Sequence, residues 1–164
     1  MKRRAMFMLA TMVATLFLTS GVALAAIISC SSGAICWGTA GNDVMLGDVG
    51  NDDMRGLDGE DSLSGGLVTV DGLKGDLGND SLRGGKGNDS LTGQPGNDIL
   101  WGDANDDSLS GGTGDDIYRF GNAWGQDSIL SESAGSDSLH FDAVGSALSI
   151  DLGPRRPLLW SCQI

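Results

Sequence analysis

A nine-residue repeat predicts an all-β solenoid of very short stacked strands, and three columns of residues carry that prediction. Asp43, Asp52, Asp61, Asp71, Asp80, Asp89, Asp98, Asp107 and Asp116 recur at steps of nine, with a single step of ten before Asp71. Five residues before each stands a glycine: Gly38, Gly47, Gly56, Gly66, Gly75, Gly84, Gly93, Gly102 and Gly111. Two residues after each stands an apolar side chain: Met45, Met54, Leu63, Leu73, Leu82, Leu91, Leu100, Leu109 and Tyr118. One inward apolar residue per short strand, stacked on the next, gives a thin continuous core.

Composition agrees. The chain has 164 residues, of which 27 are glycine and 5 % aromatic. Glycine costs about 1 kcal/mol against alanine in a helix interior, which excludes a close-packed bundle. The formal charge of −12 argues against nucleic acid, whose phosphates require a basic surface, and against an anionic membrane. With so little apolar mass, the core must be narrow or supported by something besides hydrophobic burial.

Taken in order, the chain opens with Lys2, Arg3 and Arg4, an apolar run from Met6 to about Leu18, and small residues before Ala25. This is the layout of a secretory signal peptide, residues 1–25, and the apolar run is shorter than the ~20 residues a bilayer span needs. Cleavage after Ala25 removes three positive charges and leaves −15. Export implies an oxidising environment. A disulfide between Cys30 and Cys36 is therefore expected in an N-terminal cap, residues 26–37. The alternative is a lipoprotein box, Ile27-Ile28-Ser29-Cys30, acylated at Cys30. Cys162 is left over, either a free thiol or an intermolecular link. No Cys/His spacing suits zinc, since His140 is the single histidine.

Within the repeats, glycines allow positive φ and close backbone approach in tight loops. A further column, Gly41, Gly50, Gly59, Gly78, Gly87, Gly96 and Gly114, is interrupted by Thr69 and Asn105. Nine carboxylates in register would repel one another, because like charges in one site cannot all stay ionised without a counter-charge. A bound divalent cation resolves this. Loop carbonyls and carboxylates suit the six-to-eight oxygen shell of Ca²⁺ better than the strict octahedron of Mg²⁺.

The columns match Gly-Gly-x-Gly-x-Asp-x-U-x, of which Gly84-Gly85-Lys86-Gly87-Asn88-Asp89-Ser90-Leu91-Thr92 is the cleanest copy. The chain thus resembles the RTX, haemolysin-type calcium-binding repeat family over residues 38–121. The resemblance implies a right-handed parallel β-roll of about nine nonapeptide repeats, two per turn, with Ca²⁺ between loops one turn apart. It implies bridging pairs Asp43/Asp61, Asp52/Asp71, Asp61/Asp80, Asp71/Asp89, Asp80/Asp98, Asp89/Asp107 and Asp98/Asp116, hence up to about seven ions. The two pairs through Asp71 are set aside, because its repeat reads Val68-Thr69-Val70 in place of the usual loop. The extra residue there is assigned to a bulge at Gly65.

Residues 122–153 read as C-terminal capping strands. Trp124-Gly125-Gln126-Asp127-Ser128-Ile129 resembles the flank that closes such arrays, and Ser138-Leu139-His140-Phe141 and Ala147–Leu152 alternate as strands. Such a cap covers a solenoid's open end. From Pro154 to Ile164 the character changes, as in a loose end or a frameshifted tail.

No HExxH, G-x-S-x-G or Cys/His nucleophile arrangement occurs, so no catalytic residue is assigned. The doublets Asp52-Asp53, Asp106-Asp107 and Asp115-Asp116 reflect the repeat rather than acid/base pairs. Asp48, Asp76 and Asp103 read as solvated charge, and Trp101 as an outward-facing contact. The expected function is a secreted, non-enzymatic calcium-binding β-roll that folds on Ca²⁺ outside the cell and serves as a structural or adhesive module toward a surface or matrix partner. The alternative is the calcium-binding remnant of a larger secreted hydrolase or toxin.

Overall fold

Alternate strands go to alternate sheets. The computed structural model describes residues 25–31, 35–66, 70–121, 125–130 and 133–142, and the backbone of 161–163. The first sheet stacks β1 (Ile27–Ser29), β3 (Val44–Leu46), β5 (Ser62–Gly66), β7 (Ser81–Lys86), β9 (Ile99–Ala104), β11 (Ile117–Phe120), β13 (Ser138–Phe141) and β14 (Ser161–Gln163). The second stacks β2 (Ile35–Trp37), β4 (Asp53–Asp58), β6 (Gly72–Leu77), β8 (Ser90–Pro95), β10 (Ser108–Thr113) and β12 (Ser128–Ile129). Every pairing is parallel, so the chain winds as an all-β parallel solenoid that fits a β-roll. The signal-peptide segment and the strand expected at Ala147–Leu152 lie outside the described residues.

Each strand presents alternate residues inward, as the pleat requires. In β7, Leu82 and Gly84 face the core, while Ser81 and Arg83 face out. Leu82 pairs in register with Leu63 below and Leu100 above. Met54, Leu73, Leu91 and Leu109 form the matching column of the second sheet, and all are buried. Tyr118 takes the leucine position in β11 with no exposed surface, and its hydroxyl accepts the Gly111 N–H at 2.5 Å, so the buried oxygen is satisfied.

The inward glycine gives way to a larger residue at the C-terminal end. Phe120 and Phe141 occupy that slot in β11 and β13, and their rings stack with centroids 5.1 Å apart. At the other end, the Cys30–Cys36 disulfide ties the residue after β1 to the middle of β2, with Cα atoms 5.8 Å apart.

The register corrects one reading of the sequence. Leu63 pairs with Leu82 and Gly66 with Gly85, so Gly65 aligns with Gly84 and lies within the ladder. Gly65, rather than Gly66, is the inward glycine of its repeat. The additional residue falls after Gly66, in the connection leading to Asp71, because the chain takes five steps from Gly66 to Asp71 but four from Gly85 to Asp89.

Candidate metal centre

The aspartate column lies at the two edges of the roll, where a loop delivers the chain into the next strand. Asp43, Asp61, Asp80, Asp98 and Asp116 precede strands of the first sheet, and Asp52, Asp71, Asp89 and Asp107 precede strands of the second. All nine are at most 2 % exposed. Each edge is a ladder. Asp43, Asp52, Asp61, Asp71, Asp80, Asp89 and Asp98 donate their backbone N–H to Oδ1 of Asp61, Asp71, Asp80, Asp89, Asp98, Asp107 and Asp116, at 2.7–2.9 Å. These are the seven pairs the sequence suggests. Asp71 makes the ladder hydrogen bonds on both sides, while residues 67–69 of the loop that set its pairs aside lie outside the described residues.

The second carboxylate oxygen is the informative atom. Oδ2 of Asp61, Asp80, Asp89, Asp98 and Asp107 is buried with no hydrogen-bond partner, as is Oδ1 of Asp52. A buried charged oxygen without a partner is strongly disfavoured. The inward glycines create the space for it: a Cβ on Gly84 would fall on Asp89 Oδ2, and one on Gly102 on Asp107 Oδ2. Those glycines are therefore needed for room, while left-handed backbone falls elsewhere in the loop. Gly78, with φ of 138°, lies so close under the preceding turn that a Cβ would meet the Gly59 carbonyl oxygen.

Electrostatics agrees with the geometry. Burial pushes Asp98 and Asp107 up to about 7, against the lowering effect of the ladder N–H. Neighbouring carboxylates add to it: Asp80 and Asp116 around Asp98, and Asp127, Asp89 and Asp103 around Asp107. Asp61, Asp80 and Asp89 rise to about 6, first through burial. A column of buried carboxyls that resist ionisation, yet keep an oxygen with no hydrogen-bond partner, suits a hard divalent cation. Among the described residues no three His, Cys, Asp or Glu side chains converge on one point. Carboxylates could thus supply only part of a shell, with backbone carbonyls supplying the rest.

Asp43 differs from the others. Both its oxygens are occupied by Thr39, through the backbone N–H at 2.5 Å and the hydroxyl at 3.0–3.1 Å, and Ala26 N–H reaches Oδ1 at 2.6 Å.

Two ladder members escaped the sequence reading. Asp107 N–H donates to Asp127 Oδ1 at 3.0 Å, and Asp116 N–H to Asp137 Oδ1 at 3.1 Å. Asp127 Oδ2 is also buried and unpartnered, and burial lifts its carboxyl to about 6. The nine-residue step hid them, because they follow at intervals of eleven and ten. The local signal was present: Gly125-x-Asp127-x-Ile129 and Gly135-x-Asp137-x-Leu139 keep the glycine and apolar neighbours of the repeat.

Asp76 and Asp103 act within the surface rather than in the ladder. Asp76 accepts the Gln94 side-chain amide, and Asp103 holds the Arg83 guanidinium. Asp48 accepts the Gly50 N–H at 2.9 Å. His140 stands in β13 opposite Arg119, and Trp101 faces outward on β9 beneath the Arg119 guanidinium. No helix among the described residues is long and apolar enough to cross a membrane.

Comparison with known proteins adds the family. No curated protein matches the chain. The RTX calcium-binding nonapeptide repeat, in four copies, matches residues 37–67, 74–109 and 93–122, the stretch that builds β3 to β11. With this match, the nonapeptide columns and the parallel roll all in agreement, the chain belongs to the RTX calcium-binding nonapeptide repeat family.

Proposed function

We propose that the chain is a secreted, non-enzymatic β-roll that folds when Ca²⁺ binds outside the cell and then serves as a structural or adhesive module. The observation that carries this reading is the row of buried carboxylate oxygens with no hydrogen-bond partner on Asp61, Asp80, Asp89, Asp98 and Asp107. Without a counter-charge they oppose folding; a cation turns the same atoms into ligands.

On this reading up to about seven ions sit between loops one turn apart, held by the pairs Asp43/Asp61 through Asp98/Asp116 together with loop carbonyls, Asp43 joining only by giving up its Thr39 contacts. The five pairs that do not pass through Asp71 are the firmest, because the Asp71 repeat reads Val68-Thr69-Val70 in place of the usual loop. Seven divalent ions offset most of the −15 left after signal cleavage. Metal binding then supplies folding free energy, and affinities of about 10⁻⁴ to 10⁻³ M, common in extracellular modules, keep the chain loose where Ca²⁺ is scarce. The disulfide between Cys30 and Cys36 supports an oxidising location.

The test is a Ca²⁺ titration of residues 26–164 followed by far-UV circular dichroism, with Mg²⁺ as control. The expected result is a coil-to-β transition in sub-millimolar to millimolar Ca²⁺ that Mg²⁺ does not reproduce. A spectrum indifferent to Ca²⁺ overturns the reading.

A further inference from the structure

The outward face of the first sheet carries a row that the aspartate ladders do not use. Arg83, Trp101, Arg119 and His140 lie side by side in register on β7, β9, β11 and β13. The Arg119 guanidinium sits over the indole of Trp101, 5.3 Å from its centroid, and pairs with Asp142. Arg83 leans diagonally to Asp103 on the next strand, Nε to Oδ2 at 2.5 Å and Nη2 to Oδ1 at 3.2 Å. That lean leaves an open groove of about 400 Å³ beside the indole, lined by Ser62, Leu63, Ser64, Ser81, Arg83 and Trp101.

The chemistry of the lining selects the occupant. Trp101 is the aromatic residue of the lining, and indole surface packs against apolar C–H groups. Three serines also line it, each able to donate and to accept. The rim is an ion pair whose Arg83 is 64 % exposed and keeps N–H groups beyond the two given to Asp103. Donor and acceptor thus stand together, as adjacent hydroxyls require. Charge decides between a neutral and an acidic ligand. The Arg83 charge is already met by Asp103, so the groove offers an anion no unpaired cation.

We propose that this groove binds a neutral pyranoside unit of a glycan, its C–H face on Trp101 and its hydroxyls on Ser62, Ser64, Ser81 and the Arg83–Asp103 pair. An open, solvated groove of this kind gives a weak site, with Kd about millimolar. Trp101 and the serines lie on strands of the first sheet, Asp103 reaches toward the Asp107 edge, and the site asks only that the roll be folded.

The experiment is isothermal titration of the full chain in excess Ca²⁺ with cellohexaose, mannohexaose and laminarihexaose, and with polygalacturonate as the charged comparator. At least one neutral hexasaccharide should bind. Trp101→Ala should weaken it by about tenfold or more, and Arg83→Met and Asp103→Asn by several-fold, while Trp37→Ala on the opposite sheet changes nothing. Far-UV circular dichroism of each variant reports the roll separately, so an empty groove on a folded roll overturns this inference and leaves the calcium reading untouched. Binding that survives Trp101→Ala, binding of polygalacturonate alone, or no binding by any hexasaccharide overturns it.

Discussion

The backbone N–H of Asp80 is held by the carboxylate of Asp98, 2.8 Å away and one full turn further along the chain. Each inner aspartate therefore closes the turn before its own. The neighbouring position runs the other way: Asn97 donates its N–H to Oδ1 of Asn79, one turn back, at 2.8 Å, and Asp115 does the same to Asn97 at 2.9 Å. A continuous buried ladder and a set of exposed bonds of opposite polarity thus tie successive turns together.

The buried ladder fixes the sign of the pH response. Carboxyls raised from 3.8 to about 6 or 7 hold more protons in the folded state than in the unfolded chain across that window. The metal-free roll therefore loses stability as pH rises through it, and is more stable near pH 5 than near pH 8, roughly, by the linkage relation. In saturating Ca²⁺ the slope reverses, because the ion needs the ionised form. Far-UV circular dichroism in EDTA at both pH values, where β content should be higher near pH 5, and thermal melts in Ca²⁺ check the crossing; parallel trends in the two conditions count against a ligand role for the ladder.

Asp127 extends the ladder past the regular repeats. Asp127→Ala leaves the buried Asp107 N–H without its acceptor, a loss of about 1–3 kcal/mol. Hydrogen exchange should locate the weakening in β10 and β12 and spare β4. Uniform weakening would mean that the turns melt as one unit.

Backbone conformation gives a pair of opposite expectations. Leu57 holds φ of 83° in a place where Gly66, Gly85 and Gly112 serve other turns, so Leu57→Gly should stabilise the roll by about 1 kcal/mol. Gly78→Ala drives a methyl into the Gly59 carbonyl and should destabilise by about 1–3 kcal/mol or more. Urea midpoints in matched Ca²⁺ measure both.

The disulfide closes a short loop, six residues apart in sequence, so its stabilisation by chain entropy is about 2 kcal/mol. Cys30→Ser with Cys36→Ser should lower the melting temperature and raise exchange in β1 and β2 first. An unchanged melt would show that the N-terminal turn frays independently of the rest.

The sequence made the roll legible because each column answers to one physical demand: Leu82 to the core, Asp89 to the ladder, Gly84 to the space beneath that carboxylate. It was misleading at Gly65 and Gly66, where either glycine satisfies the pattern and only strand pairing with Gly84 and Gly85 chooses. It hid Asp127 and Asp137 because longer loops broke the count, although the local glycine and apolar neighbours survived. The Arg83–Asp103 and Gln94–Asp76 contacts join residues a turn apart through side-chain direction, which no nine-residue alignment displays.

The alternation of sheets also sets how such a chain can change length. Excising one nonapeptide would shift every later strand to the opposite sheet and turn each ladder onto the wrong edge. Excising residues 75–92 instead would join β6 to the inward glycine of β8, leaving Asp71 one turn before Asp107 with all its hydrogen-bonding partners in kind. Insertions and deletions in this array are thus tolerated in pairs of repeats, and the inherited unit is the turn.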